Sequence, residues 1–155
     1  TKQYEETGRK VVLAFAGDHA PSFVDHVADK ARTEGNDLQI LERSTPFFIW
    51  ANYPLENIDA ATSTADPLNR MDMVMLAPTI AQQAGLPLTG YYKYLLAMKQ
   101  QTPVVTAAND YMKVDGTTGT YGEDESLDAW VKGYLALEYN NIGAHAKRVQ
   151  SIFGQ

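Results

Sequence analysis

The chain has 155 residues, 45% hydrophobic and 21% charged, with 13 Lys and Arg against 19 Asp and Glu and a formal charge of -6. That is globular composition and excludes a disordered tail or a fibre, and the acidic balance argues against a nucleic-acid surface. Cysteine is absent, which excludes a disulfide framework and thiolate metal sites or nucleophiles and is compatible with an extracytoplasmic location. No run approaches the roughly 18 apolar residues of a transmembrane helix. Residues 1–10 are polar and charged, unlike a signal peptide, and without an initiator Met they read as the start of a mature or excised segment.

The elements follow in chain order. Residues 11–16 (Val-Val-Leu-Ala-Phe-Ala) form a short continuous apolar run, as expected of a strand buried on both faces of a parallel sheet. Gly17 ends it. Ser22, with Asp25 three residues on, is a cap signal for a helix over 22–33 that stops at Gly35-Asn36. Residues 45–51 read as a second buried strand, with Pro46 suited only to its first positions. Residues 54–65 are loop-like. Asp66-Pro67 predicts a cap and first-turn proline for an apolar-rich helix through Met71, Val74, Met75, Ala77 and Ile80 to about Ala84. Gly85 stops it, and Pro78 should kink or break it.

Thr89 opens a short helix through Met98. Residues 103–106 and 111–114 read as short strands, and Asp115-Gly116 as the turn to a further stretch near Tyr121. Ser126 caps a last helix whose inner stripe is Leu127, Trp130, Val131, Tyr134, Leu135 and Glu138. The order implies an α/β fold with a small appended antiparallel β element, in one unit over 1–155: about 1–100 for the core sheet and helices, about 101–142 for the short strands and C-terminal helix.

The chemistry concentrates at Gly17-Asp18-His19, directly after a buried strand, where α/β sheets place ligand sites. Asp18 offers a hard oxygen and His19 a neutral nitrogen, a pair that suits Mn or Zn better than Ca. Gly17 lets the chain leave the pleat, so that adjacent side chains converge. The other reading is an Asx-type turn at Asp18 with His19 merely exposed. His26 and His145 read as solvated surface residues, and Thr62-Ser-Thr64 as turn or cap hydroxyls. No Ser-His-Asp arrangement and no glycine-rich phosphate loop is present. Phe47, Phe48 and Trp50 read as core. Tyr91, Tyr92 and Tyr94 cannot all face one side of a helix, so at least one ring is partly exposed.

Residues 11–21, ending Gly-Asp-His-Ala-Pro, resemble the metal-binding turn of sulfatase-like enzymes of the alkaline phosphatase superfamily. Thr45-Pro-Phe-Phe-Ile-Trp-Ala-Asn-Tyr53 resembles the next strand of its lipoteichoic acid synthase-like, phosphoglycerol transferase branch. Gln83-Ala-Gly-Leu-Pro-Leu88, Tyr91-Tyr-Lys-Tyr-Leu-Leu96 and Leu137-Glu-Tyr-Asn-Asn-Ile142 are similar to its later helices, so the resemblance spans about 4–142.

The resemblance implies the C-terminal part of an alkaline phosphatase-like α/β sandwich, with Asp18 and His19 as ligands to a divalent metal, foremost Mn, with Zn, Mg or Ca as alternatives. It implies an enzyme anchored at the extracytoplasmic face of the membrane. Such an enzyme is a phosphoglycerol or phosphoethanolamine transferase or hydrolase that acts on an anionic phospholipid or a cell-envelope glycopolymer; in the transferase branch phosphoglycerol passes from a phosphatidylglycerol-type lipid to a Thr, then to an acceptor. The family's nucleophile precedes the Gly-Asp-His turn by a few hundred residues, whereas 16 residues precede Gly17 here, and Thr7 matches no nucleophile motif. The nucleophile is therefore expected upstream of residue 1, the partner is the missing N-terminal half, and this segment alone is expected to be inactive and to self-associate. Two rivals stand beside this. One is a true sulfatase or phosphodiesterase of the superfamily, where an upstream Cys or Ser in a formylglycine motif would argue sulfatase and a Thr would argue transferase. A non-enzymatic module would bind glycan or lipid headgroups through its Tyr and Trp surface.

Overall fold

The structure is a computed structural model and describes residue 4 and residues 6–19, 44–55, 70–106, 110–143 and 147–154. The chain is mixed α/β, with helices and two small antiparallel sheets, and it divides into two compact units, Thr1–Pro54 and Leu55–Gln155. The expected helix over 22–33, its stop at Gly35-Asn36, the loop hydroxyls Thr62-Ser-Thr64 and the Asp66-Pro67 cap lie outside the described residues, as do His26 and His145.

In the first unit, β1 (Val12–Ala16) and β2 (Phe47–Ala51) pair antiparallel, from Val12 opposite Ala51 to Ala16 opposite Phe47. Alternation puts Leu13, Phe15, Phe48 and Trp50 on one face. That face is open: Leu13 and Phe15 are 52% exposed, Phe48 49% and Trp50 39%, and Phe15 stacks on Phe48 with centroids 5.5 Å apart. Both expectations for these strands, burial on two faces and parallel pairing, are thereby corrected. A continuous apolar run establishes that both faces are apolar. It says nothing of strand direction or of what covers a face.

Each end of the ladder is tied off. Asn52 donates its backbone N–H to Val11 O (3.2 Å). Its side-chain oxygen accepts the Val11 N–H (2.9 Å) and its amide donates to Arg9 O (2.9 Å). At the other end Gly17 N–H donates to Pro46 O (3.0 Å), so Pro46 stands before the strand and serves as an acceptor.

The second unit opens at Asp72, whose carboxylate accepts the Val74 N–H (3.2 Å) and caps a 3-10 turn, Met73–Met75. Helix α1 (Leu76–Gln83) continues from it. Pro78 does not break this helix: it sits in the first turn, where N–H groups have no intrahelical partner in any case. Gly85 (φ +68°) ends it, with Leu86 N–H on Ala81 O and Gly85 N–H on Gln82 O, a Schellman closure. Thr89 caps α2 (Gly90–Lys99) by accepting the Tyr92 N–H at 3.1 Å.

Strands β3 (Val104–Val105), β4 (Asp110–Met112) and β5 (Thr118–Thr120) form an antiparallel meander. Asp115 accepts both the N–H (2.9 Å) and the hydroxyl (2.6 Å) of Thr117, and Gly116 takes φ +85°. The Tyr111 ring lies over its cross-strand partner Gly119, where a Cβ would meet it at 2.9 Å. Helix α3 (Glu125–Ile142) is capped by Asp124, not Ser126: the Asp124 carboxylate accepts from Ser126 N–H, Leu127 N–H and the Ser126 hydroxyl. Ser126 is thus already inside the first turn. The chain closes with α4 (Gln150–Phe153).

Met75, Met98 and Val131 form one core cluster with Tyr94, Trp130 and Tyr134 around it. Tyr91, Leu95 and Phe153 form the other, with Tyr134 and Leu137 against it. The inner stripe of α3 therefore runs Leu127, Trp130, Val131, Tyr134, Leu137. Leu135, expected on it, is 52% exposed, because 3.6 residues per turn carry it past the edge of the contact face. Of the three tyrosines on α2, Tyr91 is buried and the other two are half-buried.

Candidate metal-binding turn

Ala16 is the last ladder residue of β1, and the chain bends at Asp18 and His19. Gly17 is held on three sides. Its N–H donates to Pro46 O, and its carbonyl accepts the Thr45 hydroxyl at 2.9 Å. A Cβ at position 17 would also meet Thr45 Cβ at 2.9 Å. Gly17 is therefore required here by the close approach of Thr45, and not by a positive φ.

Beyond this anchor, Asp18 Oδ1 accepts the His19 N–H at 2.9 Å, while Asp18 Oδ2 stands 3.4 Å from His19 Nε2. Both side chains face water, 87% exposed for Asp18 and 78% for His19. A carboxylate oxygen and an imidazole nitrogen thus converge from adjacent residues. Two donors bound to one ion at about 2.1 Å lie roughly 3.0–3.4 Å apart, so this pair fits one edge of a coordination shell, and its O,N character fits Mn or Zn. The local bond from Oδ1 to His19 N–H also satisfies the turn reading, and Oδ2 remains directed at the ring. Catalytic metal sites normally take three or more protein ligands. Among the described residues no group of three or more His, Asp or Glu gathers to hold a metal ion.

A second polar cluster lies in the helical unit. Tyr91 donates its hydroxyl to Glu138 Oε1 at 2.8 Å, and burial, then this carboxylate, pushes the Tyr91 hydroxyl well above its usual range. Tyr134 is raised by burial and by the charges of Glu138 and Asp72. Burial raises the Asp72 carboxyl, the backbone N–H groups of Val74 and Val105 oppose that, and Glu138 adds to it. Lys99 is lowered by burial and donates to Thr79 Oγ1 at 3.4 Å. The periodicity of α3 counts Glu138 as one more stripe position and does not reveal that two helix-borne tyrosines gather on it. The one available signal is a lone acid on an otherwise apolar stripe.

Among the described residues no helix is long and apolar enough to cross a membrane. Comparison with known proteins yields no relative: no family model matches the chain, and neither a curated protein nor a solved structure does.

Proposed function

We propose that the chain is the C-terminal part of a metal-dependent, sulfatase-like phosphoglycerol or phosphoethanolamine transferase or hydrolase. In this reading Asp18 and His19 supply two of its metal ligands, and the fold is a portion of an alkaline phosphatase-like α/β sandwich. The observation that carries the reading is the convergence of Asp18 Oδ2 and His19 Nε2 at 3.4 Å on the exposed exit of β1. A bound divalent cation supplies charge neutralisation at phosphoryl oxygens and a lowered pKa for a nucleophilic hydroxyl. Within this chain, Asp18 and His19 would bind the cation at the exit of β1. The nucleophile and the remaining ligands belong to an N-terminal half. The open face of β1 and β2 gives that half, or a second copy of the chain, a surface to cover. The substrate is an anionic phospholipid or a cell-envelope glycopolymer at the extracytoplasmic side of a membrane.

With two ligands the chain alone should bind Mn in the high-micromolar range, on the order of 5 kcal/mol, and should turn over no phosphodiester or sulfate ester, since the covalent step has no nucleophile. Titration calorimetry with Mn checks the first expectation. A sub-micromolar site lost in His19→Ala would overturn the two-ligand reading, and turnover that vanishes in Asp18→Ala would overturn the inactivity.

The exposed Phe15–Phe48 stack beside Trp50 favours a second reading, a module that binds glycan or lipid headgroups on its aromatic face. A shift of Trp50 fluorescence on titration with soluble glycans or headgroup phosphates would support it, and a flat titration would remove it.

A further inference from the structure

We infer that Thr45 is a positioning residue for the Asp18–His19 pair. The inference rests on reading that pair as metal ligands. Thr45 lies 28 residues beyond Gly17 and precedes β2, yet it makes the hydroxyl contact with the turn's anchor: Oγ1 donates to Gly17 O at 2.9 Å. The Gly17 carbonyl belongs to the peptide whose nitrogen is that of Asp18. Fixing this oxygen fixes the plane from which the Asp18 side chain departs, since the peptide is rigid.

Two further contacts make Thr45 more than a surface hydroxyl. A Cβ added at Gly17 would lie only 2.9 and 3.3 Å from the Cβ and Cγ2 of Thr45, so no larger residue fits there without a shift. The next residue, Pro46, takes the Gly17 N–H at 3.0 Å. Donor and acceptor of Gly17 are thus both spent on residues 45 and 46, and neither is left to water. Asp18 and His19 follow at once, both exposed and held by local contacts with each other. The fixed oxygen belongs to the Gly17–Asp18 peptide, so the direction of Asp18 is set through this anchor. Partners hydrogen-bonded directly to metal ligands typically contribute 10–100-fold to affinity, and Thr45 acts one peptide further out, so its effect belongs at the low end of that range.

Two variants of the full 155-residue chain separate orientation from packing. Thr45→Val keeps the β-branch and removes the hydroxyl, and Thr45→Ser keeps the hydroxyl and removes the methyl. The first readout is metal-free: the amide NMR shifts of Asp18 and His19, with the Ala14–Ile49 cross-strand contact as proof that the β1–β2 pair is intact. The second is paramagnetic broadening of the His19 imidazole signals by Mn alone. Thr45→Val should move both amides and raise the Mn concentration for half-broadening about tenfold. Thr45→Ser should stay close to wild type in both. Unmoved amides in Thr45→Val would overturn the inference, and so would a Thr45→Ser variant that loses as much as Thr45→Val. A wild-type chain whose His19 signals ignore millimolar Mn would instead overturn the metal-ligand reading, and the metal-free shifts would still decide the role of Thr45.

Discussion

Removing the Phe153 ring tests how α4 is held to the second unit. The side chain is 7% exposed, and burying a Phe contributes about 1.5–3 kcal/mol. Its ring lies 5.2 Å from that of Tyr91 at 47°, a tilted pair that adds about 0.5–1.5 kcal/mol. The Arg148 guanidinium sits 5.2 Å from the ring centroid, and an exposed cation–π contact adds about 0.5–1 kcal/mol. A deeply buried Phe→Ala change costs about 3–5 kcal/mol when the void persists. Here α4 has only four residues and can lift away, so the cost is capped by the docking energy of the segment. We expect Phe153→Ala to cost about 3 kcal/mol, near the low end of that range, and to match deletion of residues 150–155 within about 0.5 kcal/mol. The chain has two tryptophans, Trp50 in the first unit and Trp130 in the second. Urea unfolding followed by Trp130 fluorescence in a Trp50→Phe background therefore reads the second unit alone. A loss below about 1 kcal/mol would refute this ledger, as would a truncation far costlier than the point change.

Gly133 seats the Tyr94 hydroxyl, which donates to Trp130 O at 2.7 Å, and a Cβ at 133 would collide with that hydroxyl. Gly133→Ala should cost about 1–3 kcal/mol, with Tyr94→Phe in the same chain restoring part of it, as a denaturation cycle would show. Two acids should tilt the pH profile of stability in opposite senses. Asp72 has a folded pKa above its ordinary 3.8, so folding takes up a proton and stability declines as pH rises from 3.8 through the raised value. Asp124, held to about 2 by the Ser126 hydroxyl and Lys113, contributes stability that is present above 3.8 and lost as pH falls toward 2. Denaturation midpoints across acid pH check both: Asp72→Asn should remove the first slope and Asp124→Asn the second, and unchanged slopes would contradict the assignments.

Local signals carried much of the second unit. Thr89, Gly85 and Asp115-Gly116 act through the backbone within a few residues of themselves, so side-chain chemistry alone predicts a cap, a stop and a turn. Asp124 and Ser126 show the limit of such reasoning. Both are of residue types that favour caps and stand two positions apart, and which one caps depends on where packing of Leu127 and Val131 starts the helix. The α4 helix was not legible, since four residues have no periodicity and Phe153 is buried only because α2 presents Tyr91 and Leu95. At the turn after β1, the residue types of Gly17, Asp18 and His19 were readable in order. The hold of Thr45 on Gly17 was not, because nothing in the spacing of residues 17 and 45 says that β1 and β2 pair with this register. Strand direction and the open face of β1 failed for the same reason, being properties of the partner.

The two ends of the β1–β2 strand pair answer differently to a mechanical load. Arg9 to Val11 and Asn52 to Pro54 leave the ladder at the same end, beyond the Val12–Ala51 rung. Tension entering through residues 9 and 54 therefore pulls the strands apart like a zipper, one rung at a time, with the Asn52 clasp first to open. The Gly17–Pro46 rung and the Asp18–His19 turn come last. In an optical trap this geometry gives gradual opening at low force, and a single abrupt high-force rupture would contradict it. Pulling on the chain beyond Pro54 would fray the clasp long before it disturbed Asp18 and His19.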